Sequence, residues 1–160
     1  MGVVVTRNFG DLRELLPGGE GLMRDIADFA VSQIRKRTEQ GVDVEGAAFT
    51  PLSAGYAKQK QKALGHSRAD LTVSGRMLND MGPVAITERS AEISFTSQGG
   101  KASGGTFIQR SRSVGAADKA FFHVEGNHGV VRDFFGLSEE DEERIVEFAE
   151  ADVDRRIDRL

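Results

Sequence analysis

The sequence contains no cysteine. A chain without cysteine forms no disulfide, holds no thiolate zinc site and uses no cysteine nucleophile. It also lacks any apolar run near the roughly 18 residues that a membrane-spanning helix needs. Its first residues lack the basic and apolar segments of a signal peptide. We therefore expect a soluble, unexported chain with no membrane partner.

Catalytic and cofactor-binding motifs are missing as well. There is no Gly-x-Ser-x-Gly elbow and no dinucleotide fingerprint, and the glycines around Lys101 lack the order of a P-loop. His123, Glu125 and His128 could offer a metal two imidazoles and a carboxylate. An offset of five residues, however, places the two histidines on different faces of a helix. We predict a non-enzymatic chain with no cofactor and no metal site.

The composition is that of one globular domain with an uneven charge. The 160 residues are 39% hydrophobic and 29% charged, which suits a single domain spanning residues 1–160. The net charge is −4, but the segment from Glu139 to the end has ten acids against four arginines, a net −6 that leaves +2 for the rest. Such a polarised surface can orient a partner or a neighbouring copy.

A first long amphipathic helix is predicted over residues 21–40. Its apolar residues recur mostly every three or four positions, at Leu22, Ile26, Phe29, Ala30 and Ile34. Gly41 is placed to end the helix. The basic triplet Arg35, Lys36 and Arg37 lies near its C-terminus, where the helix dipole favours cations.

A second long helix is predicted from Ser138 onward, and the acid run "EEDEE" is its first turn. An EF-hand loop would need a central glycine, which this run lacks. Ser138 is a favoured N-cap, Asp141 occupies the capping-box position, and carboxylates suit the positive end of a helix dipole. The acid run therefore indicates a helix start.

Six shorter elements are predicted between the long helices. They are a helix capped by Ser53, a short helix between Ser74 and Asp80, strands at Val84 to Thr87 and Ala91 to Thr96, a helix from Ala116 to Gly126, and a strand from Val130 to Phe135. The glycine-rich stretch at about 97–106 predicts a flexible loop. Together these elements indicate an α+β domain, with a small antiparallel or mixed sheet packed by the two long helices.

Three stretches resemble the phage virion morphogenesis, or tail-completion, family that includes Mu-like tail proteins. They are "GAAFTPLSAGYAKQKQKALG", "LTVSGRMLNDM", and "AFFHVEG" followed by "VRDFFGLSEEDEERI". They occur in the family's order and cover most of residues 45–145. The chain departs from the family pattern at Asp133, where proline is usual, at Phe135, where leucine is, and at Glu125, where an aromatic is common.

The resemblance implies a small α+β virion protein without catalytic residues. Such proteins form a ring, often sixfold, at the neck of a tailed phage, where they complete the tail and join it to the head. The implied partners are other copies of the chain, a head connector or head-closure protein, and a tail tube or tail terminator protein, with DNA passing through the ring. The implied location is the virion, after assembly in the host cytoplasm.

The resemblance also suggests interface residues. They lie in the glycine-rich loop, in the 132–137 segment, and where the acidic helix would meet the basic triplet of a neighbour. The candidates are Arg35, Lys36, Arg37, Lys101, Arg132, Phe134, Phe135, Glu139, Glu140 and Glu143.

Two alternatives stay open. One is a tail terminator or head-closure ring protein, which shares the size and ring symmetry. The other, from a different class, is a small nucleic-acid-binding protein that would contact phosphates through Lys58, Lys60, Lys62, Arg110 and Arg112.

Overall fold

The computed structural model describes residues 19–72, 74–96, 115–126 and 129–158. In chain order the helices and strands are α1 (Glu20–Gln40), α2 (Ala54–Leu64), α3 (Arg76–Asp80), β1 (Met81–Ile86), β2 (Ala91–Phe95), α4 (Ala116–Val124) and α5 (Glu139–Ile157). The described residues form an α+β domain, as the sequence predicts. The glycine-rich loop predicted at about 97–106 lies outside them.

Helix α1 confirms the first predicted long helix and its apolar stripe. Four residues of that stripe are buried: Leu22, Ile26, Ala30 and Ile34. The helix ends at Gly41, which has a φ of 80° and donates its N–H to the carbonyl of Thr38 at 2.9 Å. This left-handed conformation favours glycine. A Cβ at this position would also lie 3.2 Å from the carbonyl oxygen of Ala69, so the helix stop is a tight fit.

The hairpin of β1 and β2 is the sheet of the described residues, and it is antiparallel. Met81 pairs with Phe95, and the register shifts between Pro83 and Ala85. The predicted hairpin is confirmed, but β1 begins three residues before the predicted Val84. The connection is closed by the N–H of Thr87, which donates to the carbonyl of Ser90 at 2.8 Å.

The core has two neighbouring clusters of buried side chains. The larger one joins α1, α3, the hairpin and α4 to the segment before α5; it contains Val31, Ile34, Phe49, Met77, Leu78, Met81, Phe95, Ala116, Ala120, Phe134 and Phe135. The smaller one lies between α1 and α5, where Leu22, Ile26 and Ala30 meet Leu137 and Ile145. Both long helices therefore bury their apolar faces, as predicted.

The predicted strand from Val130 to Phe135 is wrong, because this segment is irregular. Phe134 and Phe135 are both buried, whereas neighbouring side chains of a strand point to opposite faces. Its backbone forms separate hydrogen bonds: the N–H of Arg132 donates to the carbonyl of His123 at 2.8 Å, and the carbonyl of Asp133 accepts the N–H of Val44 at 2.9 Å. The segment thus forms hydrogen bonds with two separate parts of the chain and does not pair with one neighbouring strand.

Helices α4 and α5 confirm their predicted positions, and each exposes aromatic side chains. α4 buries Ala116 and Ala120, whereas Phe121 and Phe122 are more than two-fifths exposed. On α5, Phe148 is also exposed and contacts the edge of Phe29, with ring centroids 5.1 Å apart.

Candidate functional site

Arg35, the first cation of the basic triplet, is used inside the chain. Its Nε donates to the carbonyl of Leu78 at 2.8 Å, and its Nη2 donates to the carbonyl of Met81 at 2.6 Å. A third, longer bond reaches the carbonyl of Asn79 at 3.3 Å. Arg35 thus satisfies carbonyls at the C-terminal end of α3, where a cation also suits the helix dipole.

Arg37 joins α1 to the start of α5. Its Nη1 donates to Oδ2 of Asp141 at 2.5 Å, and its Nη2 donates to the carbonyl of Gly136 at 2.6 Å. The two charged side chains are only 12% and 8% exposed. The basic triplet and the acid run therefore meet within one chain at this pair, although we expected them to meet between neighbouring copies.

Asp141 also forms the predicted capping box with Ser138. The Ser138 N–H donates to Asp141 Oδ2 at 2.9 Å, and the Asp141 N–H donates to the Ser138 hydroxyl at 3.2 Å. Burial raises the pKa of this carboxyl, but the hydrogen bonds from Ser138 and Arg37 outweigh burial, so the pKa lies below its usual value. Asp141 is a structural anchor of α5.

A second buried ion pair joins Lys60 of α2 to Asp70. Both side chains are 3% exposed, Lys60 also donates to the carbonyl of Arg68 at 2.7 Å, and Asp70 accepts the N–H of Thr72 at 3.0 Å. Burial raises the pKa of Asp70, but the bonds from Lys60 and Thr72 lower it by more.

The burial of Lys60 corrects the phosphate-binding set of the nucleic-acid alternative. Lys58 and Lys62 are exposed, whereas Lys60 faces the interior. A signal was present in the sequence, because Lys60 lies four residues after Tyr56 and four before Leu64, so the three side chains share one face of a helix. Arg110 and Arg112 lie outside the described residues, as does the interface candidate Lys101.

Arg132 is in a different situation from Arg37 and Lys60. Its Nη2 donates to the carbonyl of Thr50 at 2.9 Å, and its Nε, like that of Arg37, is buried without an acceptor. Among the described residues, the difference from Arg37 lies in the missing carboxylate. Within residues 19–72, 74–96, 115–126 and 129–158, no carboxylate forms an ion pair with it. Burial lowers the pKa of Arg132, and the nearby Tyr56 opposes that shift.

The groups around Arg132 are held neutral near pH 7. Burial, reinforced by the charge of Arg132, lowers the pKa of His123 to about 4. Burial raises the pKa of Tyr56, with Arg132 acting in the opposite direction. The cation therefore lies among uncharged neighbours in a partly desolvated position.

Other interface candidates divide clearly by exposure. Phe134 and Phe135 belong to the larger core cluster and are buried. Lys36 and three glutamates of α5, Glu139, Glu140 and Glu143, are exposed. Their side chains form no hydrogen bond or ion pair within the part of the chain that the structure describes. Glu139 and Glu140 line an open groove between the turn at residues 44–46 and the start of α5.

No metal centre is found in the described part of the chain, where no three histidine, aspartate or glutamate side chains come together. His128 of the considered His123, Glu125 and His128 set lies outside that part. Among the same residues, no helix has the length and apolar character needed to cross a bilayer.

Comparison with protein-family models, curated proteins and solved structures gives no match for this chain.

Proposed function

We propose that this chain is a structural virion protein of a tailed bacteriophage, which forms a ring at the head-tail neck, completes the tail and joins it to the head. Its partners would be further copies of itself, a head connector or head-closure protein, and a tail tube or tail terminator protein. Such a protein works by binding other proteins, so we expect its functional residues to be exposed side chains held in place by the core.

The single observation that carries the proposal is the convergence of the three resembling stretches. Phe49 comes from the first stretch, Met77 and Leu78 from the second, and Phe134 and Phe135 from the third, and all five pack in one core cluster. The stretches therefore act as one structural unit, as expected if the resemblance extends to the whole fold.

Contacts between the stretches add to this support. Arg132 of the third stretch donates to the carbonyl of Thr50 in the first, across 82 residues of sequence. The same unit leaves Phe121, Phe122 and the acidic start of α5 exposed. Exposed aromatic residues beside arginine are typical of protein interfaces.

The mass of the purified chain in solution tests the proposal. Six copies of 17.4 kDa give 6 × 17.4, or about 104 kDa. We expect sedimentation velocity to detect a ring-sized species that grows with protein concentration, and negative-stain images to show closed particles. A chain that stays at 17.4 kDa up to the highest soluble concentration would contradict the proposal.

The alternatives predict different results. A tail terminator or head-closure protein would also form rings, but it would bind a different neighbour, so pull-down with purified tail tube and with head connector separates these functions. A nucleic-acid-binding protein would remain small and shift DNA in a salt-dependent manner. The burial of Lys60 removes one cation from that alternative.

A further inference from the structure

We infer that Arg132 is a docking position for a carboxylate, and that the occupant is an exposed glutamate at the start of α5 in a second copy of this chain. This inference rests on the proposed self-assembly and names the contact that drives it.

The fold supplies partners within the chain for three other partly buried cations. Arg37 and Lys60 each have a carboxylate, and Arg35 donates to three carbonyls. Arg132 has one carbonyl, that of Thr50. A charge that is taken out of water is normally paired, because its lost hydration must be replaced. Of these four cations, Arg132 is therefore the one with the fewest partners among the described residues.

The surroundings of Arg132 strengthen its attraction to a carboxylate. Tyr56 and His123 beside it are neutral at pH 7, so they neither compensate its charge nor compete for an incoming acid. Partial burial lowers the local dielectric, which makes the attraction stronger than at an exposed site. Lys36 is also unpaired within the described residues, but it is exposed, so water and salt screen its charge.

Two exposed aromatic residues directly precede the residue to which the backbone of Arg132 is hydrogen-bonded. The backbone of Arg132 is bonded to His123 of α4, and the exposed Phe121 and Phe122 precede His123 directly on that helix. Their rings contact each other, with centroids 6.1 Å apart. Arginine and aromatic residues are frequent among the residues that contribute most to binding at protein interfaces. The composition of this region is therefore that of an interface.

The chain itself offers the complementary surface. The side chains of Glu139, Glu140 and Glu143 are exposed, and they form no hydrogen bond or ion pair with any residue that the structure describes. The segment that begins at Glu139 carries −6, against +2 for the rest of the chain. A ring requires that Arg132 and the start of α5 of one copy contact two different neighbours, which makes the contact head-to-tail. Contacts of this kind close into rings when the rotation between copies permits.

A charge-reversal experiment on the full chain tests the inference. One variant carries Arg132→Glu, and the other carries Glu139→Lys, Glu140→Lys and Glu143→Lys. Each alone places like charges opposite each other, so we expect self-association at low salt to weaken by at least about tenfold. An equimolar mixture should assemble again, because alternating copies restore opposite charges at both kinds of contact.

Two controls separate this effect from misfolding. Arg89→Glu makes the same charge change at an exposed arginine in the hairpin connection and should assemble like the native chain. Lysines in a first helical turn oppose the helix dipole. A variant with Glu139→Gln, Glu140→Gln and Glu143→Gln therefore removes the charges without that effect and should also associate more weakly than the native chain. Circular dichroism melting checks that every variant is folded.

The outcomes distinguish the inference from the proposed function. If the native chain assembles and Arg132→Glu assembles equally well, the docking position is wrong while self-assembly stands. If only Arg132→Glu fails and the α5 variants assemble, the glutamates of α5 are not the occupant, and the inference is wrong. If Arg132→Glu abolishes a DNA shift without affecting assembly, the occupant is a phosphate. If the native chain never assembles, the proposed function and this inference both fail.

Discussion

Arg132 belongs to the segment that leads into α5 and Arg37 contacts that segment, but the fold treats the two arginines differently. Arg37 finds Asp141 and the carbonyl of Gly136, so its charge is compensated within the chain. Arg132 finds the carbonyl of Thr50 and neutral neighbours. A compensated cation is a part of the structure, whereas an uncompensated one is available to a partner. Here a structural arginine differs from a candidate interface arginine in whether its partly buried charge has an acidic partner. The charge itself is the same in both.

The largest expected effect comes from breaking the most buried pair. Asp70→Ala leaves the Lys60 ammonium without its carboxylate, and we expect the free energy of unfolding to fall by about 3–5 kcal/mol. Urea unfolding at pH 7 measures this change. Replacing both partners, as Lys60→Met with Asp70→Leu, should recover most of the loss because no charge is then left unpaired. Lys58→Ala, an exposed change on the same helix, should stay within about 0.5 kcal/mol. Equal losses in Asp70→Ala and Lys58→Ala would contradict this interpretation.

Asp141→Ala should come next, at about 2–3 kcal/mol. The variant loses the cap of α5, worth about 1 kcal/mol, and leaves Arg37 without its acid. Urea unfolding again provides the measurement. Asp154→Ala changes an exposed acid on the same helix and serves as the control. A loss no larger than that of the control would mean that Arg37 and Asp141 are not coupled in solution.

His123 should make the fold sensitive to mild acid. Its pKa is about 4 in the folded chain and near 6.5 in an unfolded one. Below pH 6.5 the unfolded chain takes up a proton that the folded chain resists. The free energy of unfolding should therefore fall as the pH drops from 6.5 to about 4, by up to about 3 kcal/mol. Urea unfolding across this range is the measurement.

His123→Asn should flatten this part of the pH profile. Asp70 and Asp141 have lowered pKa values, so their stabilisation is present above the unfolded pKa near 4 and is lost as the pH falls through their folded values. As the pH falls, the stabilisation from Asp70 and Asp141 is therefore lost after the stabilisation from neutral His123. An unchanged slope between pH 6.5 and 4 in His123→Asn would show that another group causes it.

The smallest effect on stability should come from Arg132→Met. This change keeps the apolar stem of the side chain and removes a partly buried charge that lacks an acid, so we expect the free energy of unfolding to stay within about 0.5 kcal/mol or to rise. Thermal melting of the dilute protein measures it. A loss comparable to that of Asp141→Ala would place Arg132 with Arg37, as a part of the structure.

Local patterns in the sequence predicted much of the fold. The apolar stripe of α1, the stop at Gly41 and the capping box of Ser138 and Asp141 each depend on residues a few positions apart. Such signals are readable without a structure because the responsible contacts are local.

Contacts between distant residues could not be predicted in the same way. Arg37 and Asp141 are 104 residues apart, so the sequence suggested opposite charges but not that they meet in one chain. The segment at residues 130–135 looked like a strand because it is apolar, yet its hydrogen bonds depend on His123 and Val44, which only the tertiary fold brings near. The uncompensated state of Arg132 is also a tertiary property, because it is defined by which acids do not reach it.

The carboxylate of Asp141 has one further consequence. A single oxygen, Oδ2, accepts both the Ser138 N–H that starts α5 and the Arg37 guanidinium that ties α5 to α1. Fraying the first turn of α5 therefore weakens its attachment to α1 at the same moment. The two long helices are coupled into one cooperative opening unit, in which the amides of the α5 start are protected from hydrogen exchange for as long as the contact with α1 persists.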